Sequence, residues 1–249
     1  MSEDPSTGIG MAQTAERIAK ENGFTKEQAD ELTSRRYEQY ADALKNERAF
    51  QKRYMLPVEV KLSKRETKLL ETDEGVAETS LEALKKLKPA TEDGILSYGG
   101  QTHPADGTVG IIVTAERNAA SLSDDSSIPI QVVSYGYARS EKATMPAAPV
   151  PAVKMAPDRA GLSIRDVTTI KSHNPFIVND MYLARQLGID AMRFNNFGSS
   201  LVFGHPQAPT VGRLLIEAIE ESVMKGGGYA MAAGCAAGDN GAALIVKVG

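Results

Sequence analysis

Tyr229-Ala-Met-Ala-Ala-Gly-Cys-Ala-Ala-Gly-Asp-Asn-Gly-Ala-Ala-Leu-Ile-Val-Lys-Val248 is the stretch that decides the fold class. Two apolar runs, Tyr229–Gly234 and Ala242–Val248, flank a turn built of Gly, Asp and Asn, which is the signature of paired strands. Just upstream, Val211, Leu214, Leu215, Ala218 and Ile219 line one face of a helix over Val211–Lys225, and Gly226-Gly-Gly228 ends it. Thr210 is the expected cap of that helix. A helix feeding two apolar strands points to a layered α/β domain.

The same reading extends toward the N-terminus. Thr108–Thr114, Ile128–Ser134 and Val167–Ser172 are rich in β-branched residues and read as strands. Helices are expected over Ala148–Ala160, closed by Gly161, and around Asn179–Leu187. From residue 108 the order is close to β-β-α-β-α-β-α-β-β, in a domain spanning 94–249. Residues 1–93 are helical and charged. Met11, Ala12, Ala15, Ile18 and Ala19 repeat at helical spacing up to Gly23, and Thr25-Lys-Glu-Gln28 is a capping box opening a second helix through Tyr40 and Leu44. Leu81, Leu84 and Leu87 form a short amphipathic helix stopped by Pro89, within a polar excursion covering 45–93.

The bulk composition excludes several classes. A net charge of −4 leaves no basic footprint for nucleic acid. No apolar run approaches the roughly 20 residues that span a bilayer. One cysteine precludes an internal disulfide and suits a reducing compartment, and the polar, acidic Met1–Thr7 is unlike a targeting peptide. A cytoplasmic chain is expected.

Four residues carry reactive side chains on turns: His103, His173, His205 and Cys235. His205, in Gly204-His205-Pro206, lies just ahead of a helix N-terminus, whose positive end keeps an imidazole neutral and basic. Cys235 sits among small residues that permit close approach of a ligand. His173-Asn174-Pro175-Phe176 follows a strand, where His and Asn can position water or donate to an oxyanion. Each has a plainer reading: a loop histidine bonded to backbone, an inert buried thiol, a satisfied polar pair. Asp239 and Asn240 read as turn residues. The spacing of these groups gives no metal site, and no phosphate loop, dinucleotide fingerprint or serine nucleophile elbow is present.

His173-Asn-Pro-Phe176, Asn195-Asn-Phe-Gly-Ser-Ser-Leu-Val-Phe-Gly-His-Pro206 and Cys235-Ala-Ala-Gly-Asp-Asn-Gly241 resemble, in order and spacing, the three C-terminal signatures of the thiolases. Those are Asn/His-Glu-Ala-Phe, Gly-Gly-Ala-Ile-Ala-Leu-Gly-His-Pro and Cys-Ile-Gly-Gly-Gly-x-Gly. Met11-Ala-Gln-Thr-Ala-Glu16, Asp73-Glu74, Thr79–Pro89, Thr102–Gly107 and Pro149–Val153 are similar to further family segments. The resemblance covers nearly the whole chain but only part of a thiolase: the loop domain (1–93) and the C-terminal half (94–249). The part that carries the family's nucleophilic cysteine has no counterpart here.

The resemblance implies roles. His205 would activate a nucleophilic cysteine held by a separate chain carrying the N-terminal half. Cys235 would be the acid/base cysteine at the substrate α-carbon. His173 would hold the water of the thioester oxyanion hole, and the Ala237 N–H would lie at the second oxyanion hole. Thr102 would contact the pantetheine arm of coenzyme A. Coenzyme A and acyl-CoA are implied as substrates, with no tightly bound cofactor, and the assembly as a hetero-oligomer with a thiolase-type dimer interface. Asn174-Pro175 replaces Glu-Ala, Ala236 and Ala237 replace part of the glycine triplet, and His103 replaces a glycine. Gly10 replaces a substrate-contacting histidine, which implies an acyl chain bulkier than acetoacetyl. The alternatives are a non-catalytic structural or acyl-CoA-binding subunit, and a truncated fragment whose exposed sheet edge would aggregate.

Overall fold

Thr25 and Gln28 exchange the reciprocal bonds of a capping box: the Gln28 N–H donates to Thr25 Oγ1 and the Thr25 N–H to Gln28 Oε1. The helix they open, α2 (Lys26–Arg48), follows α1 (Met11–Glu21). α1 appears where the apolar spacing places it, and α2 where the capping box does. Regular geometry in α2 ends at Lys45, beyond which Asn46 and Glu47 take positive φ. The computed structural model describes residues 3, 4 and 6–249.

The charged excursion folds as an exposed hairpin, β1 (Val58–Lys61) antiparallel to β2 (Thr67–Leu70), and a short α3 (Leu81–Lys86). Ser80 caps α3 by accepting from the Ala83 N–H. Leu84 is buried and anchors it, whereas Leu87 is exposed.

Thr108–Thr114 is not a strand. It runs without regular structure and leaves Ile112 and Val113 more than three-quarters exposed. Its β-branched residues favour an extended chain, but strand formation needs a hydrogen-bonding partner and none lies alongside among the described residues. The exposed helix α4 (Glu116–Leu122) follows.

The central sheet is built from β3 (Ile130–Arg139), β4 (Val167–Ser172), β5 (Gly228–Ala236) and β6 (Asn240–Val248), in the order β3-β6-β5-β4. β6 is antiparallel to both neighbours, and β4 runs parallel to β5. β4 matches its expected bounds, whereas β3 begins two residues late and runs on to Arg139. α5 (Pro149–Arg159) packs on one face, burying Val153 and Ala156 against Met231, Ala233 and Ile245. α6 (Ile177–Leu187) closes with Gly188 in the left-handed conformation. On the opposite face α8 (Pro209–Met224) buries Leu214, Leu215 and Ala218 over Ala230, Ala232 and Val246. The alternation along β5 and β6 supplies these two faces. A Cβ on Gly241 would lie 2.0 Å from the Ala148 carbonyl oxygen, so only glycine lets the start of α5 approach the sheet this closely.

Two further expectations fail. Between α6 and α8 the order calls for a strand, but the chain forms a 3-10 turn at Ala191–Arg193 and the short α7 (Ser200–Phe203). Thr210 does not cap α8. The cap position is Ala208, with no side-chain bond, and Thr210 lies inside the first turn with its hydroxyl engaged by His205.

Candidate active site

Parallel β4 and β5 end at the same side of the sheet, and there the chemistry gathers. The His173 N–H donates to the Ala233 carbonyl at 2.8 Å, carrying the β4–β5 ladder one residue past Ser172. Cys235 lies two residues further along β5. Between them Gly234 has no side chain, and a Cβ there would stand 2.6 Å from Val211 and 3.3 Å from the His173 Cβ. Its absence lets α8 and His173 close over the strand end.

His205 arrives from the turn before α8. Its N–H donates to the His103 carbonyl at 2.9 Å, and Nδ1 pairs with Thr210 Oγ1 at 2.7 Å. The His173 and His205 rings lie face to face, 4.3 Å between centroids and tilted by 34°. Burial depresses both basicities: His173 is pushed well below the usual histidine value, with a further push from His205, and His205 is also lowered. Two neutral imidazoles therefore face each other at pH 7.

The Cys235 thiol is pushed up to about 12 by burial, partly opposed by a hydrogen bond from Asn179 Nδ2 at 3.5 Å. It holds its proton at neutral pH. Such a thiol is a proton donor and a poor nucleophile. Asn179, on α6, is a partner that the sequence reading missed. Its only signal was a polar residue in the first turn of α6, and it is buried there.

The remaining expected residues fall around this centre. The Thr102 hydroxyl donates to the Ser200 carbonyl and its N–H to the Pro175 carbonyl. These bonds tie the 101–104 segment to the His173 and His205 turns. His103 contributes its carbonyl to His205 and packs its ring toward Gly204. Ala237 is half-buried in the β5–β6 turn, where its carbonyl accepts from Asn240 Nδ2. Asp239 is more than a turn residue: its buried carboxylate accepts from the Ala143 and Thr144 N–H groups, 2.9 Å each, and pins the turn to the chain leading into α5.

Beneath the histidines lies a buried polar framework. Asp180 pairs with Arg36 Nε at 2.8 Å, both side chains fully buried, and accepts from Asn174 Nδ2 and Asn195 Nδ2. Burial pushes the Asp180 carboxyl up, against the pull of Arg36. Arg36 also reaches Gln39 and the Ala191 carbonyl. A second buried pair joins Lys171 to Glu217 at 3.1 Å, and Glu217 and Asp73 both hold Arg213. Each charge has several partners, as removal from water requires. A cavity of about 870 Å³ lies elsewhere, between α2 and residues 72–82. It does not adjoin the histidines or Cys235.

A sheet covered on both faces by helices, with two histidines and a cysteine gathered at the ends of its parallel strands, defines a layered α/β protein. Residues 2–117 match the thiolase N-terminal domain and residues 127–248 the thiolase C-terminal domain. The chain belongs to the thiolase family. The first match carries it beyond the expected loop domain and C-terminal half, since residues 2–117 count as part of the family's N-terminal domain. A 3-ketoacyl-CoA thiolase of Photobacterium profundum is 31% identical over 97% of the chain, which covers 59% of that relative. The acetyl-CoA acetyltransferase of Bacillus anthracis superposes with a TM-score of 0.89 at 25% identity, over 99% of this chain and 62% of that one. Human mitochondrial 3-ketoacyl-CoA thiolase in complex with CoA shares the fold, with a TM-score of 0.85 at 24% identity, over all of this chain and 61% of that one. The chain thus spans about three-fifths of the length of the relatives it matches.

Proposed function

We propose that this chain supplies the acid/base half of a thiolase active site, cleaving 3-oxoacyl-CoA with CoA or running the reverse condensation. The observation that carries the reading is the convergence of His173, His205 and Cys235 at one end of β4 and β5. The nucleophilic cysteine comes from outside these 249 residues, in our reading from a partner chain with the N-terminal half. Cys235 is the only cysteine of the chain and its thiol stays protonated, which suits an acid and not the acylated group. Neutral His205 deprotonates the partner's thiol, which attacks the 3-oxo carbon. The Cα–Cβ bond breaks, Cys235 delivers a proton to the departing α-carbon, and a water held by His173 stabilises the enolate oxygen. CoA thiol then gives its proton to the Cys235 thiolate and takes the acyl group. The partner's cysteine leaves and recovers the proton held by His205, and the Ala237 N–H receives the oxyanion of that step.

Exposed Ile111, Ile112, Val113 and Leu122 support an association in which the 108–122 segment is covered by that partner. The bulkier acyl chain, the thiolase-type hetero-oligomer and the reducing, cytoplasmic setting belong to the same proposal. No helix among the described residues is long and apolar enough to cross a membrane. Thiolysis followed on mixing the chain with its partner tests the reading. A stable complex inert toward every acyl-CoA would refute it and favour a structural subunit.

A further inference from the structure

The hydrogen bonds around Ser200 form a closed count of donors and acceptors. Asp180, ion-paired with Arg36, can only accept, so the Asn174 group 2.7 Å from it is the amide NH2. Asn174 Oδ1 consequently faces the other way, where the Leu201 N–H donates to it at 3.0 Å. Both ends fix the amide orientation. Ser200 Oγ then has three neighbours: Asn174 Oδ1 at 3.1 Å, the Asn174 N–H at 3.2 Å and His173 Nδ1 at 2.7 Å. The first can only accept and the second can only donate.

A hydroxyl has one proton and two lone pairs. Giving the proton to Asn174 Oδ1 leaves the lone pairs for the Asn174 N–H and for a proton on His173 Nδ1, and every group is satisfied. Giving it to His173 instead sets two oxygen lone pairs against each other 3.1 Å apart, with Ser200 and Asn174 both fully buried. That arrangement is unfavourable where no water can intervene.

We propose that Ser200, oriented by Asn174, holds His173 as the Nδ1–H tautomer and leaves Nε2 as a bare acceptor. Ser200 is a positioning residue. Resting on the thiolase reading above, the consequence is specific: His173 cannot donate directly to the enolate oxygen. It accepts one proton of a water, whose second O–H points to that oxygen. Ser200 and Asn174 set the tautomer as a pair.

The test needs neither partner nor substrate. Long-range nitrogen–proton NMR of the chain labelled with 15N-histidine, at about pH 8 where imidazole is neutral, reads both ring nitrogens. The three histidines are separated by the resonances lost in His173→Gln. We expect a protonated shift at Nδ1 and an unprotonated one at Nε2 of His173. Ser200→Ala moves His173 toward Nε2–H, and Ser200→Thr retains Nδ1–H. An Nε2–H tautomer in the unaltered protein overturns the proposal, as does an unchanged tautomer in Ser200→Ala. Should Ser200→Ala fail to fold, the unaltered spectrum and Ser200→Thr still decide. An assembled complex without thiolysis would refute the thiolase reading while leaving this result intact.

Discussion

A thiol held near 12 and two imidazoles held below their ordinary value put His173, His205 and Cys235 in their neutral forms at pH 7. For proton transfer, that is the state a thiolytic cycle starts from. Cys235→Ala should cut turnover by about 10²- to 10⁴-fold, the usual range for a positioned acid or base, with unfolding unchanged; steady-state thiolysis with the partner checks this. The histidines also set an acid limit on stability. Their folded pKa values lie below the unfolded one, so the unfolded chain binds more protons in acid. Stability is full above about pH 6.5 and falls as pH drops through the unfolded pKa toward the folded ones. Thermal midpoints measured from pH 8 to 5 should decline, and less steeply in His173→Asn. Cys235 has the opposite sign: its raised pKa means stability is lost as pH rises above the ordinary thiol value, as deprotonation favours the unfolded chain.

Elements announced by their own composition, caps and flanking turns were legible, and what tertiary contacts decide was not. Val167–Ser172 matched because it pairs in parallel with β5, another stretch that the sequence announces as a strand. The Thr25–Gln28 box matched because its bonds are local. Thr108–Thr114 has the composition of a strand, but pairing is a tertiary property and no strand lies alongside among the described residues. Thr210 had the right type for a cap, yet His205 claims its hydroxyl from five residues away. The framework of Asn174, Asp180, Asn195 and Arg36 left no sequence signal beyond polar residues at buried helical and turn positions. At this scale the contact between α5 and the sheet is the sharpest constraint. Gly241→Ala should destabilise the chain by about 3 kcal/mol, since a Cβ 2.0 Å from a carbonyl oxygen forces backbone movement. Denaturant unfolding reads the change.

Across the whole molecule, Arg36 ties α2 to α6 and to the Ala191 turn through bonds that span about 150 residues of sequence. Arg36→Leu strands Asp180 without its counter-charge and should cost about 3–5 kcal/mol, again read by denaturant unfolding. The exposed 108–122 segment is the converse case, apolar surface without internal cover. Ile112→Asp with Val113→Lys should weaken binding of the partner while leaving unfolding of the chain alone unchanged, as both side chains are exposed. The claim that this chain completes a thiolase site with a cysteine from elsewhere meets its most direct test in one measurement, the rate of CoA-dependent cleavage of a 3-oxoacyl-CoA before and after mixing the purified chain with its partner. Activity that appears on mixing and vanishes with Cys235→Ala is the predicted result. Cleavage that the partner sustains alone, or that survives Cys235→Ala undiminished, would contradict it.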